Sequence, residues 1–169
     1  VFAKLDLGFT NAQSDRLARL GIVCAGLGAV IAGRLVDRVG PRHVLNAALY
    51  AQIGGLAAAL VAALTDFQAV GWLVAVGGGA GIGAAWTADR VFMTRLAPEH
   101  LLGEFFGLYA IVGRFATVLG PLAWALVADG LAWGRTAALA MLGVFIVAAR
   151  VVLQSVSDRP EAASDHATG

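Results

Sequence analysis

Five apolar stretches, each close to the length of a membrane span, dominate this chain and leave short polar connections between them. A hydrocarbon core of about 30 Å needs roughly 20 apolar residues per helix. The stretches run over Asn11–Ala32, His43–Leu64, Phe67–Trp86, Glu104–Val127 and Trp133–Leu153. They are too long and too continuously apolar for barrel strands, and they lack period-two alternation. In lipid a helix satisfies its own backbone polar groups. The expected fold is therefore all-α, a polytopic membrane helix bundle. Thr10, with Gln13 three residues on, has the spacing of a capping box at the start of the first helix.

Composition closes off the alternatives. Of 169 residues, 59% are hydrophobic and 14% charged, against about 25% charged in a soluble domain. The mean hydropathy is +0.79. Water-soluble single-domain folds and disordered chains are excluded. A net charge of +1 leaves no electrostatic footprint for nucleic acid. The single cysteine, Cys24, lies in an apolar run, and His43, His100 and His166 are far apart in polar connections. No disulfide framework, metal or cofactor is expected. Neither a nucleophile–base pair nor paired membrane carboxylates suggest an enzyme.

The connections give an orientation. Gly33–His43, Thr87–Gly103 and the tail fall on one side and carry Arg34, Arg38, Arg42, Arg90, Arg95 and Arg159. The closed loops opposite carry Arg135; Lys4 and Arg16 near the start weaken the bias without reversing it. The arginine-rich side is expected to be cytoplasmic. Residues 1–10 then form an extracytoplasmic stub, the end of a preceding helix and its loop. Residues 11–153 form the transmembrane bundle. Residues 154–169, polar and containing Pro160, form a disordered cytoplasmic tail. One further helix upstream would bring the start to the cytoplasm and complete a six-helix unit. Eleven arginines against one lysine, with many alanines and glycines, fit a GC-rich bacterial genome and so a bacterial cytoplasmic membrane.

The first connection reads Gly33-Arg34-Leu35-Val36-Asp37-Arg38-Val39-Gly40-Pro41-Arg42-His43. Gly33 admits close backbone approach at a helix end. Gly40-Pro41 is a turn signal. Asp37 suits the positive N-terminus of a neighbouring helix. Arg38 and Arg42 suit carboxylates or anionic headgroups. The bland reading is a positive-inside loop with a tight turn.

The third stretch contains Gly77-Gly78-Gly79-Ala80-Gly81-Ile82-Gly83. No strand precedes it and no lysine follows at phosphate-loop spacing. It reads as a surface for close helix packing.

Arg114 stands deep in the fourth stretch, ten residues beyond Glu104 and so about 15 Å along the axis. A charge near the bilayer midplane is costly and faces a polar cavity or a partner. Gly103, Gly107, Ala110, Arg114, Thr117 and Pro121 recur at spacings of three and four and make one small or polar face. Phe105, Leu108, Val112, Phe115 and Leu119 are apolar and mostly bulky, and should meet lipid. Arg114 either binds an anionic group of a substrate or makes a structural ion pair or carbonyl contacts. Gly120-Pro121 interrupts the helix as a hinge or a static kink. Tyr109 either offers its hydroxyl to the pathway or sits at the interface. Asp15 and Arg19 are spaced to pair along the first helix, with Arg19 at a cavity mouth or on a solvated extension. Arg90 and Arg95, in the second connection, either pair with Glu99 or Glu104 as a gate or anchor the membrane surface.

The first connection resembles the signature loop of the major facilitator superfamily, G-x-L-x-D-R-x-G-x-R, matched by Gly33, Leu35, Asp37, Arg38, Gly40 and Arg42. Pro41 stands where a basic residue is common. Arg90 to Pro98, then Glu104-Phe-Phe-Gly-Leu-Tyr109, Gly113-Arg114 and Leu119-Gly120-Pro121, resemble the autophagy-related vacuolar effluxer-like branch, with arginine in place of its lysine. The resemblance covers about Leu7 to Val152. It implies a twelve-helix secondary transporter of two six-helix halves, of which this chain holds the last five helices. It also implies that the signature loop latches against the other half and that the solute is an amino acid or similar small metabolite. The expected partners are the missing N-terminal half, the lipid bilayer and the small-molecule substrate. Without that half, Arg114 and the glycine faces are expected to lie open to lipid. The competing reading is a non-transport subunit that docks helices through its glycine faces.

Overall fold

The computed structural model of the chain describes residues 10–65, 68–131 and 133–156. Most of the expected N-terminal stub, including Lys4, and the tail beyond Val156, including Arg159, lie outside the described residues. Five helices are long and apolar enough to cross a membrane. They are α1 (Asn11–Val39), α2 (Pro41–Thr65), α3 (Gln68–Leu96), α4 (Leu102–Ala125) and α5 (Gly134–Ser155). Among the described residues there is no strand. The chain is an all-α membrane helix bundle.

Thr10 caps α1 as its spacing predicts. Its hydroxyl accepts from the Gln13 backbone N–H at 3.3 Å, and the Gln13 side chain accepts from the Thr10 N–H at 2.9 Å.

The helices run further than hydropathy alone suggests, so the expected connections shrink. The segment 33–43 is not a loop. α1 continues to Val39, Gly40 alone turns the chain at φ 86°, and α2 begins at Pro41. Burial explains the extension. Val36, one turn beyond Ala32, packs with Ala32, Val44 and Ala88 in a closed apolar cluster. Proline at the first helical position costs no hydrogen bond, because that N–H has no intrahelical partner anyway. α3 likewise runs past Trp86 to Leu96, because Phe92 is buried against Leu49 and Leu153. Asp89, Arg90 and Arg95 therefore stand on a helix and not in a connection. Asp89 lies about 10 Å inside the end of α3.

α3 is the central helix, and its glycines form the contacts on two sides. Added Cβ atoms at Gly79 and Gly83 would fall on the backbone carbonyls of Gly21 and Ala25 in α1. One at Gly28 would fall on Ala80. On the other side, a Cβ at Gly81 would come within 3.0 Å of the Ala48 carbonyl, and one at Gly55 within 2.9 Å of the Gly78 nitrogen. Backbones thus touch directly, as small residues allow in lipid. The expected packing role of the glycine run is what the fold shows. The expectation that these glycines lie open to lipid is corrected: α1 and α2 cover them.

α5 packs against α2 at the opposite face, through Leu153 and Ile146 near Leu49 and through Gly143 beside Leu56. α4 differs from the rest. It is entered through a single 3₁₀ turn, Glu99–Leu101, and left through a π turn, Leu126–Gly130. None of its residues is buried. Both its small face and its bulky face are therefore uncovered.

Candidate functional site

Arg114 sits midway along the continuous Glu99–Gly130 span, on the exposed surface of α4. Its guanidinium has no hydrogen-bond or ionic partner among the described residues. Thr117, one turn on, is exposed, and its hydroxyl bonds back to the Gly113 carbonyl at 2.7 Å and the Arg114 carbonyl at 3.0 Å. Such back-bonding occupies the single hydroxyl proton and tends to bend a helix. Pro121 lies inside α4 four residues further and removes the N–H that would bond the Thr117 carbonyl. Gly120 has open space beside it. The helix loosens again five residues later at the π turn.

Tyr109 is the polar link from α4 to the rest of the molecule. Its hydroxyl donates to Oδ2 of Asp89 on α3 at 2.6 Å, a short charge-assisted bond. Sequence reasoning singled out Tyr109 but gave it no partner. Periodicity carries no signal for a bond between residues on separate helices.

The signature residues divide into two groups. Asp37 and Arg38 are exposed on the last turns of α1, where Arg38 opposes the negative end of the helix dipole. Arg34 is exposed as well. Gly33 lies inside α1 and not at its end. A Cβ there would meet the Thr87 methyl at an ordinary 3.9 Å, so close backbone approach is not its role. Gly40 fulfils the turn role. Arg42 reaches across to α5, where Nη2 donates to the Gln154 carbonyl at 2.9 Å and the Leu153 carbonyl at 3.4 Å. A cation on the last carbonyls of a helix satisfies orphan acceptors and complements the dipole.

Arg95, in the last turn of α3, lines a cleft of about 240 Å³ with Gly40, His43 and Phe92. Arg90 is exposed beside the Asp89–Tyr109 pair. Arg19 and Asp15 are both exposed on the first turns of α1. The structure thus brings Asp89, Arg90 and Tyr109 together and leaves Arg114 and Arg19 apart from them.

Arg150 is a further cation that the sequence reading passed over, since it closes an otherwise apolar helix. Its guanidinium lies over the Tyr50 ring on α2, 4.3 Å from the centroid, and Nη2 donates to the Tyr50 hydroxyl. An arginine within the apolar run of a membrane helix is the signal that marks it.

Five membrane-length helices, an arginine-rich end and a midspan arginine define a polytopic membrane protein. The profile of the Major Facilitator Superfamily matches residues 2–168, and the chain belongs to that superfamily. It is 29% identical over 143 residues to the uncharacterized MFS-type transporter YxiO of Bacillus subtilis, covering 84% of this chain and 32% of that protein. It is 28% identical over 162 residues to the putative metabolite transport protein YwtG of the same organism, covering 95% and 34%. An uncharacterized MFS-type transporter of Mycobacterium tuberculosis is 32% identical over 137 residues, covering 79% and 22%. The chain spans about a third or less of the length of these relatives. No solved structure matches it significantly.

Proposed function

We propose that this chain holds five helices of the C-terminal six-helix half of a secondary transporter that moves a small anionic or zwitterionic solute, with amino acids the leading class. Two bundles would rock about a midplane site, the common mechanism of repeat-built transporters. The length of the relatives supports a missing partner bundle. The Glu104-Phe-Phe-Gly-Leu-Tyr109 stretch and the downstream Gly120-Pro121 support the effluxer-like branch.

The observation that carries the reading is Arg114. It lies at the centre of its span, on a helix with no buried residue. A charge at that depth is expensive unless a cavity, a ligand or a partner meets it. In this proposal the Arg114 guanidinium binds the solute carboxylate as a two-pronged donor. Tyr109 and Thr117 flank the pathway on the same helix, and Arg19 stands near its outer mouth. Gly33, Asp37, Arg38, Gly40 and Arg42 set the latch, Arg90 and Arg95 line the cytoplasmic gate, and Gly120-Pro121 shapes the helix around the site.

The test is uptake of labelled amino acids into proteoliposomes holding the full-length polypeptide. Arg114→Ala should raise the apparent KM at least tenfold, the scale of one lost charge-assisted bond. Arg114→Lys should recover part of it. Uptake with unchanged apparent affinity in Arg114→Ala would rule out the binding role.

A further inference from the structure

We propose that the outward groove between α2 and α5 is a binding site for one anionic glycerophospholipid, with its phosphate on Arg150 and an acyl chain along the apolar floor. The site does not depend on which solute the protein carries.

Three observations carry it. First, Arg42 reaches the Leu153 and Gln154 carbonyls, so the start of α2 lies beside the end of α5 and the two helices run antiparallel. Arg42 marks the rim. Arg150 lies about 8 Å inward along α5, the depth of a headgroup region and not of the bilayer centre.

Second, among the described residues no acid compensates the charge of Arg150. Among the described residues its partner is Tyr50, through the ring face and the hydroxyl. Its Nε is buried without a hydrogen-bond partner. A half-buried guanidinium with one buried donor left unpaired favours an anion or further acceptors beside it. Stacking on Tyr50 fixes its plane, and a planar donor fork suits phosphate.

Third, an apolar groove of about 380 Å³ begins one helical turn inward of Tyr50 and Arg150, at Ile53 and Val147. Ile53, Ala57 and Leu60 continue the Tyr50 face of α2, and Val147, Gly143 and Ala140 continue the Arg150 face of α5. Its length is about 10–12 Å along the helix axes. Gly143 keeps the floor deep. Val144 and Val147 are 66% and 47% exposed, so the groove opens outward and not toward α3. A cation at the rim of an apolar trough matches a phosphate joined to a hydrocarbon tail. A purely apolar partner would leave the Arg150 charge unanswered.

The experiment is native mass spectrometry of the purified full-length polypeptide after exchange into phosphatidylglycerol or phosphatidylcholine. One phosphatidylglycerol molecule should remain bound at activation energies that strip phosphatidylcholine. Arg150→Gln should lower that retention roughly tenfold, the scale of one charge-assisted contact. Tyr50→Phe, which keeps the ring, should retain the lipid. Should Arg150→Gln fail to fold, Ala140→Trp decides: it fills the trough, leaves the charge, and should displace the lipid. Equal retention of both lipids by the unaltered protein would overturn the proposal. So would full phosphatidylglycerol retention in Arg150→Gln or in Ala140→Trp.

Discussion

The hydroxyl of Tyr109 on α4 and the carboxylate of Asp89 on α3 meet at 2.6 Å, tying an otherwise uncovered helix to the central one. A hydrogen bond to a charged group is worth about 1.5–3 kcal/mol. Tyr109→Phe and Asp89→Asn should each loosen α4 by up to that amount. The double variant should cost no more than the worse single one, since both remove the same bond. Spin labels at Trp86 and Leu108, on a Cys24→Ala background, should report a broader interhelix distance distribution in either variant. Additive effects would show that the bond does not hold α4.

The glycines of α3 differ sharply in what surrounds them. A methyl at Gly83 strikes the Ala25 backbone, whereas one at Gly78 enters open space. Gly83→Ala should destabilise the bundle by about 1–3 kcal/mol, the usual cost of overpacking. Gly78→Ala should be neutral or stabilising by up to about 1 kcal/mol, from helix propensity. Thermal unfolding in detergent compares the two directly.

Arg42 caps the carbonyl end of α5. Arg42→Ala should cost about 1 kcal/mol of local stability. Hydrogen exchange should speed up over the last turn of α5 and stay unchanged in α1. Arg42→Lys should restore part of the protection, because a single ammonium cannot serve both carbonyls with the same geometry.

Orientation is open to direct labelling. The arginine-rich end should face the cytoplasm. On the Cys24→Ala background, His43→Cys should react with a membrane-impermeant maleimide only in inverted vesicles. Asp129→Cys, in the π turn at the far end, should react only in intact cells. The reverse pattern would invert the topology.

The five spans were legible because lipid demands long apolar runs, and Thr10 with Gln13 because a capping box is local. The glycine run was legible as packing, because without a strand or lysine it has no phosphate chemistry. The helix ends were not. Hydropathy drops at Arg34 and Asp89, but Val36 and Phe92 keep one face buried, and burial overrides the polar neighbours. The Asp89–Tyr109, Arg42–Gln154 and Tyr50–Arg150 contacts join different helices. Only the three-dimensional arrangement of α2, α3, α4 and α5 brings those residues together. Arg114 and Arg19 were legible as candidates by depth and position, while the partners that would define their chemistry belong to no described residue.

The single-residue elbow at Gly40 has a mechanical consequence. α1 and α2 are stiff rods of 29 and 25 residues, each about 40 Å long. With one residue between them there is no slack to absorb movement. A tilt of about 5° at the elbow would carry the far tips about 3–4 Å apart. Val36 and Val44, buried together just beside the fulcrum, set the resting angle of that lever. Small movements at the arginine-bearing rim are thereby magnified at the opposite face of the membrane.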